Sequence, residues 1–204
     1  MNGKVRVVLY IVAVSLGLYV FYQRPVGKDD IYVDRLVHLK SDSSLFTGKL
    51  KVVGNASYYY ETFCRGFPIG EFSEHQNGGN FISKGQYLIA SEVLSTETLK
   101  TFLNDTVIVE YWQDGGNFPT DPYHFTVLVL KDDAFFQSDK KQYAEMIHKF
   151  SLAIVHDTRS LKYDYLDIRF VDSVYDWSKS YAITYELKDG RLDNYREQSN
   201  RTDS

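Results

Sequence analysis

Apolar and polar positions alternate with a period of two along much of this chain. Leu50 and Val52, then Tyr58, Tyr60 and Thr62, alternate against Lys49, Lys51, Tyr59 and Glu61, the pattern of strands with one face half-buried. Between Leu45 and Val93 the alternating runs are short and are interrupted at Gly54-Asn55, at Gly66 to Gly70 and at Asn77-Gly78-Gly79-Asn80. Glycine and asparagine at such intervals mark turns, so an antiparallel meander is predicted. The stretch YYYETFCRGFPIGEF, Tyr58 to Phe72, reads the same way. Its two glycines allow positive φ in a tight hairpin and close strand approach, whereas a phosphate-cradling loop would need a following helix with a Lys-Ser/Thr pair or a third glycine.

The second half changes period. Ser95 to Asp105 opens with a serine N-cap and carries Glu97 in its first turn, predicting a short helix. TVIVEYWQ from Thr106 and HFTVLVLK from His124 are β-branched runs joined by the loop DGGNFPTDPY, a candidate recognition element. Tyr143, Ile147, Phe150 and Ile154 recur at helical spacing among Lys140, Lys141, Glu145 and Lys149. YLDIRFVDS and YAITYEL follow, then an Asp189-Gly190 turn and a final hairpin strand.

At the other end stands an uncharged run from Val7 to Tyr22, with Lys4 and Arg6 before it and Arg24 after it. It is just short of the roughly 17 to 25 residues of a membrane-spanning helix. Snorkelling of Arg6 and Arg24 supplies the missing length. The run ends in bulky residues without a small-x-small cleavage site, which favours an uncleaved signal anchor. The predicted organisation is a transmembrane anchor (1–24), a connector (25–44) with one short strand over Ile31 to Leu39, the meander (45–93), a strand-rich part with one clear amphipathic helix (94–198) and a tail (199–204). Strands and helices are segregated, which makes the expected fold class α+β.

Charge then narrows the function. The chain has 23 basic and 27 acidic side chains; without Lys4, Arg6 and Arg24, 20 face 27, and the exported part is acidic. That argues against nucleic acid as a partner and suits a partner with a basic surface. Aromatics make up 16% of the residues, as befits strands and contact surfaces. The single cysteine, Cys64, excludes an intramolecular disulfide and reads as a small buried apolar residue.

FTGKLKV, RGFPIGEF and FISKGQYL resemble units of the MORN-type repeats, in the variant of the YwqK-like bacterial antitoxin-component group. The matching positions are Phe46, Thr47, Gly48 and Lys49, then Gly66, Gly70, Glu71 and Phe72, and finally Gly85 with Tyr87. The resemblance covers about 45 residues, roughly two units, and implies a single-layer antiparallel sheet.

No catalytic signature stands out. The histidines at 38, 75, 124, 148 and 156 are scattered; His148 and His156 are two turns apart on the predicted helix, too far for one metal ion. Asp164, Asp167, Asp172 and Asp176 read as a charged outer face, with a metal or carboxylate-pair active site as the sharper alternative. No cofactor, metal or catalytic residue is expected. Address, acidity and aromatic content together suggest a single-pass inner-membrane protein whose exported domain binds a partner, most specifically an immunity protein occluding an envelope-acting toxin. Tyr59, Glu61, Phe67, Asp114, Phe118, Asp121 and Tyr123 are the candidate contact residues. An envelope enzyme, and an accessory or scaffold protein binding lipid or glycan, are the competing classes; a pocket gathering Asp167, Asp172 and a histidine would favour the enzyme.

Overall fold

The computed structural model describes residues 26–102, 105–115, 120–139, 143–175 and 179–201. In chain order the elements are β1 (Val26–Gly27), a 3-10 turn (Lys28–Asp30), β2 (Ile31–Asp34), β3 (Leu36–Leu39), β4 (Gly48–Val53), β5 (Ser57–Cys64), β6 (Phe67–Gln76) and β7 (Phe81–Leu88). Then come α1 (Ala90–Val93), α2 (Thr96–Lys100), β8 (Val107–Asp114), β9 (Tyr123–Leu130), α3 (Asp133–Gln137), α4 (Ala144–Asp157), β10 (Tyr165–Val171), β11 (Lys179–Lys188) and β12 (Arg191–Arg201).

Ten of these strands form one sheet, in the order β1-β4-β5-β6-β7-β8-β9-β10-β11-β12, while β2 and β3 make a separate hairpin. Neighbours are antiparallel except at β1–β4 and β9–β10, which run parallel. The α+β expectation is corrected here. The strands of the first and second halves continue each other through the β7–β8 pair, so the molecule is mostly one large mixed sheet. The reason lies in α3 and α4, which carry the chain back over the sheet so that β10 enters parallel to β9, as a helical crossover allows and a tight turn does not. Among the described residues no helix is long and apolar enough to cross a membrane; the run Val7 to Tyr22 lies outside the described residues.

Local chemistry explains the connections. Arg65 and Gly66 both have positive φ (52° and 80°), so β5 and β6 are joined by a two-residue turn of the kind whose twist suits a hairpin. Gly66 is also where that turn meets the small hairpin: a Cβ there would lie 2.9 Å from Leu45, and 3.0 Å from both the Leu36 side chain and the Val37 carbonyl. Gly70, by contrast, lies inside β6, where the register with β5 shifts between Tyr60 and Thr62. Its positive φ serves a bulge rather than the turn. Ser95 caps α2 by accepting from the Thr98 N–H at 3.2 Å, and Asp157 at the end of α4 accepts from the Ser95 N–H at 2.7 Å.

Two cores sit on opposite faces of the sheet. On one, Phe125, Val127, Val129, Leu166, Ile168 and Phe170 pack against Phe135 and Phe136 of α3 and Ile147, Phe150 and Ile154 of α4. On the other, Leu50, Phe63, Ile108, Leu128, Leu130 and Val171 are covered by Ile31 and Val37 of the small hairpin with Phe46 and Val174. β9 and β10 are therefore buried on both faces, which is why HFTVLVLK reads as a continuous apolar run.

Candidate functional site

The helices cover one face of β8 to β12 and the small hairpin covers part of the opposite face. Two concave surfaces are left between them, one on each side of the sheet.

The face that carries the small hairpin holds a polar row assembled by register. Tyr87 pairs with Glu110, Glu110 with Thr126, Thr126 with Asp167 and Asp167 with Thr184, so one line crosses five strands with all side chains on the same side. Glu61 joins it from β5 by accepting from the Tyr87 hydroxyl. An aromatic row runs beside it: Phe72 faces Gly85, Gly85 faces Trp112, Trp112 faces His124 and His124 faces Tyr165. Gly85 is the gap that lets the Phe72 ring reach Trp112. A Cβ at this position would fall 2.4 Å from Trp112 Cβ and 2.6 Å from Phe72 Cζ, closer than packed atoms come. Glu61, Phe72, Tyr87, Glu110, Trp112 and Tyr175 are among the walls of a cavity of about 620 Å³.

Acids in such a place are held out of their usual range. Glu61 is 2% exposed. Burial pushes its carboxyl up to about 8; the Tyr87 hydrogen bond opposes this and the nearby Glu110 adds to it. Glu110 is half-buried in the wall of the cavity. Burial raises it to about 7, against the pull of the Arg169 guanidinium and with the push of Asp167. Burial likewise holds the Tyr59 and Tyr87 hydroxyls well above the ordinary phenol range. Near neutral pH this part of the row therefore carries protons, and its carboxyls are donors as well as acceptors.

Asp167 behaves in the opposite way. Its burial disfavours the charge, but the hydrogen bonds from His124 and Thr184 and the charge of Arg169 outweigh that, and its carboxyl is held below the usual range. His124 Nδ1 lies 2.9 Å from Asp167 Oδ2. The imidazole is sandwiched between Trp112, at 4.0 Å, and Tyr165, at 4.9 Å, with Nε2 3.8 Å from Asp114. Asp167 and a histidine do meet, then, but Asp172 is not with them: it accepts from the backbone N–H of Lys179 beyond the end of β10. Both ring faces of His124 are covered and both nitrogens look toward carboxylates, an arrangement that holds the sheet together rather than one poised to take a substrate proton. Among the described residues no group of three or more His, Cys, Asp or Glu is placed to hold a metal ion.

Among the described residues no helix lies over the other face of β4 to β7. Lys49, Tyr60, Glu71, Ser73, Lys84 and Tyr111 are among the residues lining a groove of about 910 Å³ there. Tyr58 stacks on His75 at 4.9 Å, and Lys51 lies over the rings of both Tyr58 and Tyr60, at 5.1 and 5.3 Å. At the far end Tyr123 stacks on Tyr111 at 5.3 Å.

The candidate contact residues divide between these surfaces. Tyr59 and Glu61 come together in the cavity on the hairpin side; Tyr58 and Tyr60, half-buried as Tyr59 is, stand on the opposite face, because a strand's neighbours alternate. Phe67 is half-buried against the hairpin core. Asp114, exposed at the end of β8, and Tyr123 at the start of β9 lie near the groove's end, and the half-buried Asp121 uses its carbonyl to accept from Gln113 at 2.7 Å. Phe118 lies outside the described residues, as does Asp176. Cys64 is exposed at the end of β5, correcting the expectation of burial. Asp167 is 1% exposed and is no part of a charged outer face. Residues that sequence reasoning passed over are Glu110, Tyr87, Trp112 and Arg169. A signal for Glu110 and Asp167 did exist: each is a lone acid within an otherwise apolar strand, VIVEYW and YLDIRF, a place where acids sit only with a partner or a purpose.

No family model matches the chain, and neither the curated proteins nor the solved structures contain a significant match.

Proposed function

We propose that this chain is an exported binding protein that docks a protein partner on the uncovered face of its sheet, and that it serves as an immunity protein occluding an envelope-acting toxin. The observation that carries the reading is the uncovered face itself: Tyr58, Tyr60 and Tyr123 stand on hydrogen-bonded strands, Tyr58 stacked on His75, Tyr60 edge-on to it and Tyr123 stacked on Tyr111. Rigid aromatic groups give contact area with little loss of side-chain freedom, and such anchors dominate protein interfaces. Charge assigns the ends of the groove. Lys49, Lys51 and Lys84 meet carboxylates of the partner, while basic groups of the partner meet Asp114 and Asp121. The resemblance of Phe46 to Tyr87 to MORN-type units and the apolar run Val7 to Tyr22 support, respectively, an antitoxin-like role and a place at the membrane.

The test is to express the neighbouring genes one at a time, directed to the envelope, with and without this protein. A Tyr58→Ala/Tyr60→Ala variant should lose protection, while Tyr59→Phe, which changes only the cavity on the hairpin side, should keep it. If no neighbour is toxic, or if the Tyr58/Tyr60 variant still protects, occlusion by this face is the wrong reading.

A further inference from the structure

The open cavity on the face of the small hairpin is a second site, lying across the sheet from the docking groove and sharing Glu61, Phe72 and Trp112 with its lining. We propose that it binds the cationic head of a small organic amine or amidine between the carboxyls of Glu61 and Glu110, with Phe72, Trp112 and Tyr175 as apolar walls.

Three observations lead there. The first is an unfilled acceptor. Glu61 is 2% exposed, its Oε1 accepts from Tyr87, and its buried Oε2 has no hydrogen-bond partner. The Tyr59 hydroxyl is near enough to the same carboxyl to favour its ionised form, but it makes no hydrogen bond of ordinary geometry to that oxygen. A buried polar oxygen left unpaired, whether protonated or not, is costly, and this one borders a space rather than packed atoms. The second is size: about 620 Å³ falls within the range of small-molecule sites. The third is the wall chemistry. Aromatic faces beside carboxylates attract organic cations, which gain from the ring quadrupole as well as from the charge. A hard divalent ion would instead need about six oxygen ligands, and among the described residues no such cluster exists.

The surrounding charges leave room for one guest cation. Facing the cavity are Glu61 and Tyr59 from β5, Glu74 from β6, Tyr87 from β7, Glu110 from β8 and Arg169 from β10, with Lys28 of the 3-10 turn at the rim. Asp167 lies behind them in the polar row. Arg169 acts on both Glu110 and Asp167, so a single guanidinium is shared by two acids while Glu61 has none. Burial raises both Glu61 and Glu110, and only at Glu110 does a neighbouring cation, Arg169, offset it. A bound ammonium or amidinium supplies a counterion, ionises Glu61 and releases a proton to solvent. The exposed Lys28, at the cavity rim, is an internal group able to compete for this place.

The experiment is titration of the full-length protein, in detergent, with benzylamine and benzamidine, followed by calorimetry and by tryptophan fluorescence, with Trp177→Phe to isolate Trp112; benzyl alcohol and benzoate serve as neutral and anionic controls. The cations should bind and the controls should not. Binding should release protons at neutral pH and tighten as the pH rises toward about 8, where Glu61 no longer has to be ionised by the guest. Glu61→Gln and Glu110→Gln should each weaken it at least tenfold. Because a neutral glutamine resembles the protonated acid, both variants should keep the near-ultraviolet circular dichroism of the parent; should Glu61→Gln fail to fold, Tyr87→Phe, which loosens the Glu61 carboxyl, should change affinity and proton release instead. Equal binding of benzyl alcohol, no binding at millimolar cation, or affinity unchanged in both glutamine variants would overturn the proposal. So would binding that appears only in Lys28→Ala, which would make Lys28 the natural occupant.

Discussion

Glu61→Gln isolates the energetic consequence of burying a carboxyl without a counterion. The ordinary glutamate value is 4.5 and the folded-state value is about 8, so between these limits the folded protein holds a proton that the unfolded chain has lost. The sign follows from linkage. Stability contributed by this group is fully present below about 4.5, declines as the pH rises, and is gone above about 8. At about 1.36 kcal/mol per unit, the whole interval corresponds to an upper bound of about 5 kcal/mol, and the part from about pH 5 to about pH 8 to about 4 kcal/mol. Water entry into the cavity lowers both figures. Glu110, raised to about 7, adds a loss of the same sign that ends about one unit earlier. Urea denaturation of the full chain, followed by circular dichroism at several pH values, should therefore show the parent losing stability toward alkaline pH. Glu61→Gln should remove the larger part of that slope, since glutamine does not titrate. An unchanged slope in the variant, or a parent most stable at alkaline pH, would refute the account of Glu61 as a buried acid kept neutral by its surroundings.

Further outcomes follow from other residues. Gly85→Ala, whose new Cβ would fall 2.4 Å from Trp112 and 2.6 Å from Phe72, should destabilise the fold by about 3 kcal/mol in the same assay. Gly70→Ala, with φ at +66° but nothing within 4 Å, should lose only about 1 kcal/mol of backbone strain; equal effects would mean that packing at Gly85 is not what requires glycine. Asp167 gives a pH dependence of the opposite sign to Glu61, because its folded value lies below the usual carboxylate range. The stability it contributes is present above the unfolded value and lost as the pH falls through the folded one, so Asp167→Asn should be less stable at neutral pH and show a flatter acid limb of midpoint against pH. If the membrane location holds, a reporter active only in the cytoplasm and fused after Ser204 should be silent; an active one would overturn export.

What the residues dictate locally and what they dictate only together separate cleanly here. Strand positions such as FISKGQYL, the turn at Asp189-Gly190, the serine cap of α2 and the apolar stripe Ile147, Phe150, Ile154 were legible because each depends on neighbours within a few residues: alternation for a strand, positive φ for a turn, helical spacing for a buried stripe. The mixed sheet was not. That β9 and β10 lie side by side and parallel depends on how α3 and α4 pack across the sheet, a contact between residues far apart in sequence. Nor was the polar row legible, because Glu61, Tyr87, Glu110 and Asp167 are gathered by register, and a slip of one residue in any strand would turn its member to the opposite face. The same parity put Tyr59 in the cavity and Tyr58 and Tyr60 outside it. Periodicity says that neighbours on a strand face opposite ways; only the tertiary packing of helices on one side and the small hairpin on the other decides which way is in.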